Sequence, residues 1–192
     1  GDIRGYAFSL THEAWVDLYL GNYEDSDKKT GVALEILYGL SDKQLIAWAE
    51  TVKAYYYYYI MDFERARQLS LKAQPVWEII GNHNSLALSR LVYALILIHE
   101  GKLDGLEEFL IKIKAGFIES DEFSVYQALY AEALLEIRKG NRDIAYSILT
   151  GNIHKKIESG IKFHIYDDME LISHLLFKKG KKENAAIIFS AA

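Results

Sequence analysis

The chain has 192 residues, 51% apolar and 26% charged, with a net charge of −5, one proline and no cysteine. This composition belongs to a folded chain with enough apolar surface for a proper core, and the lack of cysteine removes disulfides, thiolate metal ligands and thiol nucleophiles. The densest apolar run, Leu91 to Ile98, is eight residues long, well short of the roughly 18 to 20 that span a bilayer, and the acidic balance opposes a nucleic-acid surface, which needs clustered Lys and Arg.

The expected fold class is all-α, because long apolar-periodic segments are divided by Gly, Asn and Asp. In chain order, the first pair of helices covers Ile3 to Leu20 and Tyr23 to Tyr38, around the turn LGNYEDS. The second covers Asp42 to Ile60 and Phe63 to Ile80 around IMDFERA, with Pro75 inside its second helix; the missing N–H there should kink the helix without ending the repeat. The third covers Ser85 to Glu100 and Leu103 to Ile118 around EGKLDGL, and the fourth Glu122 to Lys139 and Arg142 to Glu158 around KGNRDIA. The fifth, Lys162 to Lys179 and Glu183 onward around KGKKENA, is cut short. Gly81-Asn82, Ser120-Asp121 and Ser159-Gly160 separate successive pairs with residues that helix caps favour.

Taking Gly21, Met61, Gly101, Gly140 and Gly180 as equivalent gives intervals of 40, 40, 39 and 40 residues, and other columns agree with that register. Seven residues before each turn stand Ala14, Ala54, Ala94, Ala133 and Ser173, small as the close approach of two helices demands. Five residues after it stand Ser26, Ala66, Leu106, Ala145 and Ala185, small in four of five. Three before it come Leu18, Tyr58, Ile98, Ile137 and Phe177, and five before it Val16, Tyr56, Ile96, Leu135 and Leu175, all expected in the core. The architecture expected is a right-handed α-α solenoid of about five helix-turn-helix repeats, each burying a face of its neighbour. It forms one domain over residues 1–192, with repeats at 3–40, 42–81, 83–120, 121–160 and 161–192. The chain opens on Gly1-Asp2 with no signal-peptide pattern and stops at Ala192 without a polar tail. It is therefore expected to be a cytoplasmic piece of a larger protein.

The pattern resembles the tetratricopeptide repeat. The family's small residue, turn glycine, aromatic and alanine match Ala14, Gly21, Tyr23 and Ser26, then Ala54, Met61, Phe63 and Ala66 with the glycine missing. Later units keep glycine and replace the aromatic by Leu103, Arg142 and Lys182, and the period exceeds the family's usual length of about 34 residues. The segment from Val76 to Leu106 is similar to the longer repeats fused behind the ATPase modules of bacterial and archaeal signalling regulators, including the maltose-activator type of transcription factor. In such solenoids the first helix of each repeat lines a concave surface. The resemblance implies that Phe8, Trp15, Tyr19, Trp48, Thr51, Tyr55, Tyr59, His99, Tyr130 and Arg138 face that groove. Within the run Tyr55 to Tyr59, it assigns Tyr56 and Tyr58 to the core, Tyr57 to its own hairpin or the next, and Tyr55 and Tyr59 to the groove. Aromatic area of this kind is the composition of binding hot spots; the competing reading is that the rings are core, covered by a further hairpin or another domain.

Other constellations carry no chemistry of their own. His12-Glu13 opens like a zinc-protease helix, but Val16 stands where the second histidine would be. The pairs His164/Asp168 and Glu170/His174 have metal-ligand spacing, equally that of ordinary helix pairs. Asp167, Asp168 and Glu170 read as a solvated acidic face, and the lysines around Gly180 as a complement to the helix dipole. No phosphate loop or cofactor motif is present in the sequence, so no catalytic residue, metal or cofactor is expected. The expected function is a protein-protein interaction module holding a peptide or protein partner in its groove, with self-association through the terminal repeats as a further contact. The alternative is an effector-sensing segment of a signal-transduction ATPase or transcriptional regulator.

Overall fold

The computed structural model describes residues 1–117, 122–160 and 164–191. Within them the chain is all-α: α1 (Ile3–Tyr19), α2 (Tyr23–Leu40), α3 (Lys43–Tyr59), α4 (Phe63–Ile80), α5 (His83–His99), α6 (Leu106–Gly116), α7 (Glu122–Lys139), α8 (Arg142–Glu158), α9 (Ile165–Lys178) and α10 (Lys182–Ala191). The helices pack in consecutive antiparallel pairs. Each pair except the third has two or three residues between its helices, whereas α6 starts three residues later than its apolar pattern suggests, because Gly105 takes a left-handed φ of 71° at its start. The expected start of α9 at Lys162 and the end of α6 at Ile118 lie outside the described residues.

All five tight turns close in one way. The residues taken as equivalent in sequence, Gly21, Met61, Gly101, Gly140 and Gly180, have φ of 75°, 62°, 73°, 88° and 79°. In each, the next residue's N–H donates to the carbonyl five residues back: Asn22 to Asp17 O, Asp62 to Tyr57 O, Lys102 to Leu97 O, Asn141 to Glu136 O and Lys181 to Leu176 O, at 2.8 to 3.0 Å. This double closure satisfies carbonyls that the helix end would leave bare, and it requires a left-handed residue. Met61 therefore holds a conformation glycine would adopt without strain. Starts are capped as well: Asp2, Asp42, Asp62 and Asn82 accept from the backbone N–H three residues on, at 2.9 to 3.1 Å. α4 runs through Pro75 to Ile80, and the carbonyl that Pro75 cannot serve belongs to exposed Leu71.

The small columns are where the helices meet. Ala14, Ala54, Ala94, Ala133 and Ser173 are buried, as are Ser26, Ala66, Leu106, Ala145 and Ala185. The bulky columns divide by direction. Ile96 packs back onto Val52, Ala54 and Ala66, whereas Ile98 packs forward with Leu106, Ala131 and Leu135. The two exceptions to the expected core follow from this. Val16 is 49% exposed because no hairpin of the chain lies behind α1, and Phe177 is 54% exposed because none lies beyond α10.

α1, α3, α5 and α7 lie side by side, but α9 packs on α8 and α10 and makes no comparable contact with α7. The start of α9 instead approaches the ends of α1 and α3. That departure opens a space inside the array.

Candidate functional site

A cavity of about 750 Å³ lies where the C-terminal ends of α1, α3 and α5 face α7 and the start of α9. Its walls come mainly from the first helix of each hairpin: Leu18 and Tyr19 of α1, Tyr55, Tyr58 and Tyr59 of α3, Leu95 and His99 of α5, Tyr126, Gln127 and Tyr130 of α7, and Tyr166, Asp167 and Glu170 of α9. Tyr23, Phe63 and Lys156 enter from the second helices, and His164 from the residue preceding α9.

The rings are organised by one another. Tyr59 stacks on Tyr23 at 5.6 Å and lies parallel to His164 at 6.4 Å, while His164 meets Tyr19 edge-on at 5.2 Å. His164 thus joins the fifth hairpin to the first two. On the far wall the Tyr58 hydroxyl lies 3.0 Å from His99 Nε2, and Phe63 stacks on His99 at 5.4 Å. Burial pushes the Tyr58, Tyr59 and Tyr130 phenols well above the usual range, and the negative charge of Asp167 adds to each. Tyr23 moves the same way for the same two reasons. Burial, followed by the nearby Arg138, holds His99 below its ordinary value, so at neutral pH its imidazole is uncharged. Gln127 Oε1 is buried in the wall with no hydrogen-bond partner among the described residues.

Beneath the start of α9 lies a buried ion pair. Lys156 Nζ donates to Asp168 Oδ2 at 2.7 Å and to the His164 carbonyl at 3.0 Å. Asn152 Nδ2 reaches both Asp168 oxygens, at 3.2 and 3.0 Å, and the Tyr126 carbonyl at 3.2 Å. Asp168 is 0% exposed, and burial raises its pKa against the opposing pull of Lys156 and Asn152. The expectation of a solvated acidic face over Asp167, Asp168 and Glu170 is therefore corrected: Asp168 is buried and paired, Asp167 is half-buried and bonded to His164 Nδ1, and Glu170 alone of the three is exposed. His164 reaches for Asp167 and not for Asp168, the partner its spacing suggested.

Of the residues expected in the groove, Tyr19, Tyr55, Tyr59, His99 and Tyr130 line the cavity. Phe8, Trp15 and Trp48 form an aromatic ladder running away from it. His12 bridges Phe8 at 4.1 Å and Trp48 at 5.6 Å, and Trp15 contacts Trp48 at 5.5 Å and Tyr55 at 5.0 Å. Two residues are corrected outright. Thr51 is buried, donating to the Ala47 carbonyl at 2.8 Å and accepting from Trp77 Nε1 at 3.3 Å, so it offers nothing to a partner. Arg138 is exposed and turned outward, its guanidinium 3.4 Å from the His99 carbonyl. The tyrosine run is also corrected by one position. Tyr55 is the buried ring, 1% exposed, its hydroxyl donating to the Leu88 carbonyl at 3.1 Å. Tyr56 is half-buried at the periphery beside Lys53, and Tyr57 lies under Arg65 of its own hairpin at 4.4 Å.

The residues that sequence reasoning left out of the groove, among them Lys156, His164, Tyr166, Asp167 and Glu170, come largely from the far end of the chain. The i, i+4 histidine-carboxylate pairs were the visible signal there, but nothing local states that α9 turns back toward α1. Among the described residues no three His, Asp or Glu side chains cluster as metal ligands would, and no helix is long and apolar enough to cross a membrane. No protein-family model and no curated protein matches the sequence.

Proposed function

We propose that the chain is a tetratricopeptide-like right-handed solenoid that acts as a recognition module, with the tyrosine-lined cavity as its binding site. The observation that carries this reading is the half-open cavity of about 750 Å³ itself. It falls within the range of small-molecule sites, roughly 300 to 1,000 Å³, and has their mixture of apolar wall and few polar groups. The recurrence of one turn geometry at Gly21, Met61, Gly101, Gly140 and Gly180 supports the repeat reading. Walls from α1, α3, α5, α7 and α9 around one space favour a compact effector over an extended peptide, which makes an effector-sensing segment of a larger regulatory protein the leading version of this function. A peptide or protein partner is the second reading, favoured by the Phe8, His12, Trp48 and Trp15 ladder, where Trp48 Nε1 is buried without a hydrogen-bond partner among the described residues.

A ligand-observed NMR screen of small fragments against the protein and a Leu95→Trp variant tests the cavity. Leu95 lines the space, so the added indole should fill it and abolish the hits while circular dichroism stays helical. Hits that survive in the folded variant, or no hits on the parent, would remove the cavity as the site.

A further inference from the structure

The cavity has a chemical bias. Its lining carries the rings of Tyr19, Tyr23, Tyr58, Tyr59 and Tyr130, and the face of an aromatic ring is its negative pole. The charged groups at the wall add to this. Lys156 is answered by Asp168 at 2.7 Å, and His99 is held neutral by burial. Asp167 and Glu170 remain; Glu170 makes no ion pair among the described residues, and Asp167 is bonded to His164. The lining is therefore net negative whether or not His164 carries a proton. Arg138, which is not part of the wall, is bonded to the His99 backbone carbonyl. Gln127 Oε1 adds a buried acceptor without a donor among the described residues. The negative charge of Asp167 adds to the rise that burial gives the Tyr58 and Tyr130 phenols.

We propose that the cavity binds a small organic cation, a protonated amine or quaternary ammonium compound, held against the tyrosine faces and neutralised by Asp167 and Glu170. An anion would meet two carboxylates and a tyrosine-rich wall there, with its candidate counter-ion Lys156 already engaged. A neutral apolar ligand would leave the carboxylates and Gln127 Oε1 unanswered. Cation–π contacts of this kind separate a cation from its neutral isostere by roughly ten-fold or more.

This inference rests on the cavity reading above, and the test separates the two. Isothermal titration of the full chain uses choline and its uncharged carbon isostere, 3,3-dimethylbutan-1-ol. Choline is expected to bind, with the isostere weaker by roughly ten-fold or more. The double variant Asp167→Asn, Glu170→Gln should lose most of the choline affinity and leave that of the isostere unchanged. Tyr59→Phe, which keeps the ring, should retain binding that Tyr59→Leu loses; the carboxamide pair carries the test should Tyr59→Leu fail to fold. Equal binding of choline and the isostere overturns the cation and leaves the cavity standing. So does failure of both probes where fragments still bind in a manner that Leu95→Trp abolishes. Silence of probes and fragments alike overturns both.

Discussion

Lys156→Met is the most informative single change, because among the described residues Asp168 has no other cation partner. The two side chains are essentially out of solvent, Asp168 at 0% exposure, and the 2.7 Å bond between them is supplemented at the carboxylate by Asn152 alone. Methionine keeps most of the lysine stem's volume, so packing on α8 should survive and the loss is chiefly electrostatic. Removing one member of a buried pair strands the other, at a cost of about 3 to 5 kcal/mol. The variant also releases the His164 carbonyl, which Lys156 holds at 3.0 Å, and with it the start of α9. Urea denaturation at pH 7 measures the loss. The sign with pH follows from the carboxyl. Burial raises the Asp168 pKa in the folded state, so its contribution is most favourable below the unfolded value and is lost as pH rises through the folded one. Without Lys156 that rise grows, and the variant should recover part of its deficit on acidification to about pH 5, where a neutral Asp168 can remain buried. Lys156→Met with Asp168→Leu should restore most of the stability. A loss below about 1 kcal/mol in the single variant, or a deficit unchanged by acid, would refute the reasoning.

Met61→Gly should raise stability by about 1 kcal/mol in a urea titration, because Met61 is 69% exposed and held at a φ of 62°. Ala94→Phe should cost roughly 1 to 3 kcal/mol or prevent folding, since Ala94 is fully buried between helices. Because His99 has a depressed folded-state pKa, its contribution is present above about pH 6.5 and is lost as pH falls through the folded value; a His99→Gln variant should show a flatter fall in melting temperature between pH 7 and 5. Tyr55→Ala should cost about 3 to 5 kcal/mol, as deletion of a buried aromatic does, against about 1 kcal/mol for half-buried Tyr56→Ala, measured by the same denaturation.

The hairpin organisation was legible because it is written in local chemistry. Left-handed turns call for Gly, close helix contacts call for Ala or Ser, and both recur at a spacing near 40 residues at Gly21 to Gly180 and Ala14 to Ser173. Even the unit without glycine folds in register, since Met61 takes the same turn with Asp62 capping the next helix. The direction of the tyrosines was less legible. Successive residues on a helix differ by about 100°, so one column's displacement exchanges a buried ring for a peripheral one, and five consecutive tyrosines give no contrast in composition to fix the angle. Tyr55 and Tyr56 were exchanged for that reason. Thr51 was misplaced because a threonine on a helix satisfies its hydroxyl internally, here on Ala47 O, and can sit in the core without any sign of it in sequence.

The cavity itself depends on contacts that no window of the sequence contains. His164 and Tyr19 are far apart in the chain, yet their rings meet at 5.2 Å, and the carboxylates of Asp167 and Glu170 acquire their setting from tyrosines more than a hundred residues earlier. Read locally, Asp167, Asp168 and Glu170 form an acidic helix start. Packed against α8, the same three divide into a buried carboxylate that matches Lys156 and two that remain for the cavity. That division is what gives the site a sign. Were Asp168 solvated and Lys156 free, the lysine would offset one of the two carboxylates at the wall, and the preference for a cation would weaken. The ion pair beneath α9 and the charge selectivity of the cavity are therefore one arrangement, so Lys156→Met should alter the choline-to-isostere ratio as well as stability, whereas Met61→Gly, at the rim, should change stability with the ratio intact.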